Sequence, residues 1–222
     1  MNGEQVKTFV CLSKSKKNND FCVAGKLIYE DGTIGEWIRP INQYGTITSN
    51  DCCYSDDSSA RTLDIISATF LTPNPQNFQT ENYTIDSKVY WEKEGEYEYT
   101  DPALSLLCDT PDSLWDNNHE SGGGINDQVS PQEAQNIHTS LYFIYVGNLT
   151  IYSSRWDNKL KLRGEFVYNN TTYNLKITDI YWSDHYENQP LGIHIHNNAY
   201  ITISLALDTF GGFHYKLIAD IL

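Results

Sequence analysis

The segment from Lys159 to Thr178 constrains this chain more tightly than any other. Leu160, Leu162, Gly164, Phe166 and Tyr168 alternate with Lys159, Lys161, Arg163 and Glu165, and after Asn169-Asn170 the alternation resumes with Tyr173, Leu175 and Ile177 against Asn174, Lys176 and Thr178. A period of two belongs to a strand, whose successive side chains point to opposite faces; one face is covered and the other stays wet. Asparagine tolerates the positive φ that a two-residue hairpin turn demands. A turn at Asn169-Asn170 therefore predicts that Phe166 faces Tyr173 and Leu162 faces Ile177. The same register sets Arg163 opposite Lys176 and beside Lys161. Like charges directly opposite are unfavourable unless something anionic lies over them. Glu165 and nearby acids are one means of neutralising that face, and a phosphate or other anionic ligand is another.

The rest of the chain also reads as strands. Tyrosine occurs 16 times, a β-favouring excess in a chain with no long amphipathic helix, heptad or internal repeat. Val6–Leu12 reads as a first strand, interrupted by the polar run Ser13–Asp20 and resumed over Phe21–Tyr29. Thr33–Arg39 is a short strand ending at Pro40, and Thr62–Leu71 is another, closed by Pro73-Asn74-Pro75. Asp101–Leu104 and Asp109–Trp115 each resemble a single N-capped helical turn with an early proline. Gly, Ser, Asn and Asp dominate from His119 to Asn136, which marks a linker or mobile loop and places a boundary there, with units of 1–125 and 126–222. Beyond it lie β-rich segments at 141–153, 159–168, 172–182 and 192–207, then a final strand, Tyr215–Ile221. The expected class is all-β, as two small barrel-like units with a few short helical turns.

Charge limits the functions open to such a fold. The formal net charge is −14, so the chain as a whole repels a polyanion at long range, and general coating of nucleic acid is excluded. From Glu81 to Asp127 twelve acids face only Lys88 and Lys93, a local net of −10. Any nucleic-acid or nucleotide site is therefore local, among the basic residues of the N-terminal part or of Arg155–Lys176. The five cysteines, an odd number that includes the adjacent pair Cys52-Cys53, make a poor disulfide framework. With no secretory apolar stretch and no membrane-spanning run, the expectation is a cytoplasmic protein with reduced thiols.

Several motifs, taken in order, resemble the dual OB-fold domain proteins of bacterial conflict and phage-defence loci. They are Lys7–Lys16, Cys22–Lys26, Gly35–Pro40, Leu63-Asp64-Ile65, Phe78–Asn82, Leu114-Trp115, Ile203–Leu205 and Tyr215–Ala219. The resemblance covers nearly the whole chain and rests on the order of the pieces. It implies two tandem OB-like barrels, a role in recognising nucleic acid or a nucleotide, and service in antiviral defence beside an effector protein. OB folds bind single strands by combining a basic groove with aromatic platforms. The acidic balance of this chain departs from that pattern, which leaves room for a small ligand or a protein partner.

Two groups of residues are candidates for ligand contact besides the hairpin face of Lys161, Arg163 and Lys176. Lys14, Ser15, Lys16, Lys17 and Lys26 bring positive charge and a hydroxyl towards Trp37 and Arg39. Lysines offer point charges to phosphate, while arginine adds a planar fork that also stacks on a base. Trp37 is either a stacking surface or a core residue. Gln79, Glu81 and Asn82 form a second polar group, suited either to reading a base edge or ribose or to satisfying buried backbone groups between the barrels. His194 and His196 share a strand face, a geometry that suits two metal ligands, yet no third ligand can be placed and no metal or cofactor is assigned. Cys11 and Cys22 read as core thiols, and Gly122-Gly123-Gly124 lacks the strand-to-helix context of a phosphate loop. No nucleophile elbow or distinctive carboxylate pair is present, so the reading is a non-catalytic recognition module. The alternative is a protein-interaction subunit whose acidic 81–127 stretch docks a basic partner, with an enzyme a distant third.

Overall fold

The Asn169-Asn170 turn forms as the alternation requires. In the computed structural model, which describes residues 4–17 and 20–222, both asparagines have positive φ, 46° and 62°. They join β9 (Lys159–Tyr168) to β10 (Thr171–Ile177), with Phe166 paired to Tyr173 and Arg163 to Lys176. Asp157 and Asn158, also at positive φ, make an equally tight turn between β9 and β8 (Leu141–Trp156). These three strands form a meander. β11 (Gly192–Leu205) returns antiparallel beside β8, and β12 (His214–Ile221) fills the remaining gap, antiparallel to β11 and parallel to β10. This is the closed five-stranded Greek-key wiring of an OB barrel.

The inward residues of that barrel are those of the apolar register: Leu149, Ile151, Leu162, Phe166, Tyr173, Leu175, Ile177, Ile201, Ile203 and Ile218 form one buried cluster. Helix α3 (Ile180–Glu187) connects β10 to β11 and lays Tyr186 and Trp182 against it. Asp179 starts this helix as its N-cap and also accepts a 2.9 Å bond from the Ile221 amide, which ties α3 to β12. The 172–182 segment is thus part strand and part helix: the Asp179 carboxylate takes amide hydrogen bonds that a continuing strand would give to a neighbour.

The first unit repeats the wiring. β1 (Gln5–Lys17), β2 (Asp20–Ile28) and β3 (Ile34–Ile41) form the meander, β4 (Asp64–Pro73) lies beside β1, and β5 (Asn82–Ile85) sits between β4 and β3, parallel to β3. The short β6 (Glu92–Glu96) continues the pairing along β4. Where the second barrel has α3, the first has an irregular stretch whose Ile47, Cys52, Tyr54 and Ala60 enter the core with Phe9, Ile66, Phe70 and Trp91. β1 does not stop at Leu12. It runs to Lys17 through a bulge at Cys11–Ser13, because Ser13 and Ser15 are buried and Lys14 Nζ is held by Ser59 Oγ and the Ala60 carbonyl. Asn18 and Asn19 of the same polar run lie outside the described residues, as does the side chain of Lys17.

The chain divides at Leu107/Cys108 rather than in the glycine-rich stretch. α1 (Asp101–Leu107) is the helical turn expected at 101, but 109–115 is irregular, with Trp115 at a φ of 59° and Leu114 buried in the second core. The supposed linker belongs to the second unit. β7 (Gln128–Val129) pairs with β12, and α2 (Pro131–Ala134) opens on a Ser130/Glu133 capping box. Of its three glycines, Gly124 serves close approach: a Cβ there would run into the Asp127 carboxylate. None of the five cysteines is in a disulfide.

Candidate nucleic-acid interface

The pairing that buries one face of β8, β9 and β10 sets the other in rows. Trp156 pairs with Lys159, Ser154 with Lys161, and Tyr152 with Arg163, which in turn pairs with Lys176. On its far side Tyr152 pairs with Ile193 of β11. Trp156 is 72% exposed and Ile193 66%; both are large apolar side chains kept out of a core that had room for Phe166 and Tyr173. Aromatic surface and ammonium groups therefore alternate over one wet sheet face.

The Arg163–Lys176 conflict is resolved by an acid from outside the hairpin. Arg163 Nη2 lies 2.8 Å from Asp127 Oδ2, and its Nε donates to Asn174 Oδ1 at 2.7 Å. The Asp127 side chain is only 1% exposed and also accepts 2.7 Å bonds from the Ser121 amide and hydroxyl. Glu165 has other work, accepting from Asn174 Nδ2 at 3.1 Å and from the Tyr152 hydroxyl at 3.4 Å. Loss of hydration, and after it the positive charges of Lys161 and Arg163, lower the Lys176 pKa. Lys159, Lys161 and Lys176 make no ion pair among the described residues, so their charges are available.

Past Lys176, β9 runs on without β10, and an open groove of about 720 Å³ lies between it and α3. Lys159, Lys161 and Lys176 line it from the sheet, and Ser183, Asp184 and Glu187 from the helix. Leu160, Leu162 and Ile177 give it an apolar floor. Arg155 holds Glu187 at 3.0 Å. The volume falls within the range of small-molecule sites, roughly 300–1,000 Å³.

Residues 7–221 match the Dual OB-containing domain. The chain belongs to that family. No curated protein matches it in sequence. Solved structures similar to this dual OB protein include a murine DNA-binding protein bound with double-stranded DNA, at 7% identity and a TM-score of 0.38 over 99% of this chain and 93% of that one. The tetrameric p202 HIN2 is similar at 9% identity and 0.34, covering 100% and 97%. The Ifi202 HINa domain in complex with 20-bp double-stranded DNA is similar at 8% identity and 0.35, covering 99% and 98%. Likeness at this level carries no argument about what the dual OB chain binds. No helix among the described residues is long and apolar enough to cross a membrane.

The first OB unit treats its candidate residues differently from the second. Arg39 is 5% exposed, and its Nε and Nη2 each lie 3.2 Å from Glu81 Oε1. The parallel pairing of Arg39 with Asn82 brings these side chains together, and Gln79 and Asn82 are buried beside them with a 3.3 Å bond between their amides. The group expected to read a base or grip a phosphate thus includes a buried ion pair that neutralises its own charge. Lys26 is buried with its ammonium 5.5 Å from the ring centre of half-buried Trp37. Lys14 is engaged with the 59–60 segment and packs over Phe21, Ser15 is buried, and Lys16 is exposed. Of the N-terminal set, the pairing brings together only Lys26 and Trp37.

His194 and His196 do share a face, but the Nε2 of each already has a hydrogen-bond partner. His196 Nε2 is 2.9 Å from the Tyr186 hydroxyl and His194 Nε2 is 3.3 Å from Ser153 Oγ. Among the described residues no group of three His, Cys, Asp or Glu side chains is placed to hold a metal ion. Trp156 and Tyr152, which share the face of Lys159, Lys161 and Lys176, are candidate residues that the sequence reading did not single out. Their signal was present, since both fall on the odd-facing positions opposite Lys159 and Arg163 once the 157–158 turn is counted as two residues.

Proposed function

We propose that this protein is a non-catalytic recognition module that binds nucleic acid or a nucleotide through the outer face of its second barrel. The observation that carries the reading is the row of Trp156, Tyr152 and Ile193 set among Lys159, Lys161 and Lys176 on one wet sheet face. Aromatic stacking contributes about 1–3 kcal/mol per base without regard to sequence, and lysines track the backbone. In a chain of net charge −14, a cluster of three lysines that make no ion pair among the described residues supports a phosphate site on this face. The family resemblance supports a setting in bacterial antiviral defence beside a separate effector protein.

Fluorescence anisotropy with a labelled single strand, a duplex and competing nucleotides, at two salt concentrations, tests this. Trp156→Ala is expected to weaken single-strand binding by about 1–3 kcal/mol at any salt. Lys161→Ala with Lys176→Ala removes two phosphate contacts and is expected to flatten the log–log salt slope by about 1.4. If no ligand binds the wild type below about 10⁻⁴ M at low salt, the reading fails. The acidic 81–127 stretch, whose Glu92, Glu94 and Glu96 are exposed, then becomes the better candidate surface, for a basic protein partner.

A further inference from the structure

The groove at the end of the cationic face divides its charge. Its sheet wall bears Lys159, Lys161 and Lys176, while its helix wall bears Asp184 and Glu187 over an apolar floor. A phosphodiester strand lying across the outer face meets lysines until it reaches α3, where Arg155 neutralises Glu187 but the next phosphate would stand against the Asp184 carboxylate. An interior stretch is repelled there, but an end is not. A terminal phosphate carries about −1.5 to −2 charges, against a single one for a diester, and has three non-bridging acceptor oxygens. Three ammonium groups that make no ion pair among the described residues match that ligand better than they match one diester. Ribose hydroxyls, which are donors, suit the Asp184 carboxylate opposite, and Leu160, Leu162 and Ile177 offer an apolar surface to the sugar or base.

We infer that the groove takes a nucleotide with a terminal phosphate, either free or at the end of a strand. The phosphate lies on Lys159, Lys161 and Lys176, and the sugar lies towards Asp184. This rests on the recognition reading above and adds end selectivity to it. The site is built for one unit of the ligand, while Tyr152 and Trp156 engage any neighbouring bases.

The test compares one short single strand in four forms: with a 5′-phosphate, with a 3′-phosphate, with hydroxyls at both ends, and circularised. A free nucleoside monophosphate and its nucleoside serve as competitors. A phosphorylated form is expected to bind at least about tenfold tighter than the hydroxyl and circular forms, the scale of one charge-assisted contact. Competition by the monophosphate but not the nucleoside assigns the free ligand as a source; competition by neither, with the end preference intact, assigns the strand end. Asp184→Lys, at an exposed position, is expected to narrow the preference by admitting the circular form. Equal affinity of the wild type for phosphorylated and circular strands overturns end selectivity and leaves the recognition reading standing. Absence of binding by every form overturns both.

Discussion

Replacing Asp127 by Asn removes one charge and almost no volume, and the structure predicts opposite effects on stability and on ligand binding. The carboxylate accepts the Ser121 amide and hydroxyl at 2.7 Å each and Arg163 Nη2 at 2.8 Å. Hydrogen bonds to a charged group contribute about 1.5–3 kcal/mol apiece, though not additively. An asparagine oxygen retains part of the Ser121 contact, and Arg163, whose side chain is 26% exposed, keeps its bond to Asn174 Oδ1 and regains water. The loss therefore belongs near the lower limit for a broken buried pair, about 2–3 kcal/mol. Amide exchange in β9 and β10 reads it directly. Protection in those strands is expected to fall by roughly 30- to 150-fold, while β1–β5, in the other unit, remain unchanged. At the same time Arg163 becomes an additional available cation beside Lys161 and Lys176, so single-strand affinity at low salt is expected to rise and its salt slope to steepen. Unchanged protection in β9 and β10 would refute the claim that Asp127 is what makes the Arg163–Lys176 pairing tolerable.

Two titrating groups give further predictions. Lys216 is fully buried, its ammonium donating to the Asp116 carbonyl and to Asn117 Oδ1, and burial above all pushes its pKa down to about 7. Between that value and about 10.4 the unfolded chain holds the extra proton, so this lysine makes stability rise with pH, by at most about 1.4 kcal/mol per unit; urea midpoints of wild type and Lys216→Met should converge or diverge only over this window. Burial raises the Asp179 pKa to about 6 against the pull of its amide donors. Between about 4 and that value the folded chain holds the extra proton, so its contribution to stability falls as pH rises. Asp179→Asn should abolish that slope in the same urea series, and Asp179→Ala should cost about 1–2 kcal/mol through loss of the α3 cap.

Local pattern alone sets the side of the strand each residue occupies, the turn at Asn169-Asn170, the register of β9 on β10, and so the meeting of Arg163 with Lys176. These follow from a period of two and from the φ that asparagine tolerates, and need no knowledge of the rest of the chain. The sign of the hairpin face was legible for the same reason. What tertiary structure alone decided was which charges remain available. Arg163 finds Asp127 36 residues away, Arg39 finds Glu81 at 42, and Lys216 finds Asp116 at 100. Such partners meet because β12 slots parallel to β10, and β5 parallel to β3, a closure that brings distant segments together whatever their spacing. Arg39 and Arg163 are both strand arginines flanked in sequence by apolar or small neighbours, Ile38 and Pro40 for one and Leu162 and Gly164 for the other. Arg39 and its partner are enclosed together, whereas Arg163 sits among lysines on a wet face, so burial and pairing, which depend on the closed barrel, separate a structural arginine from the edge of a binding surface.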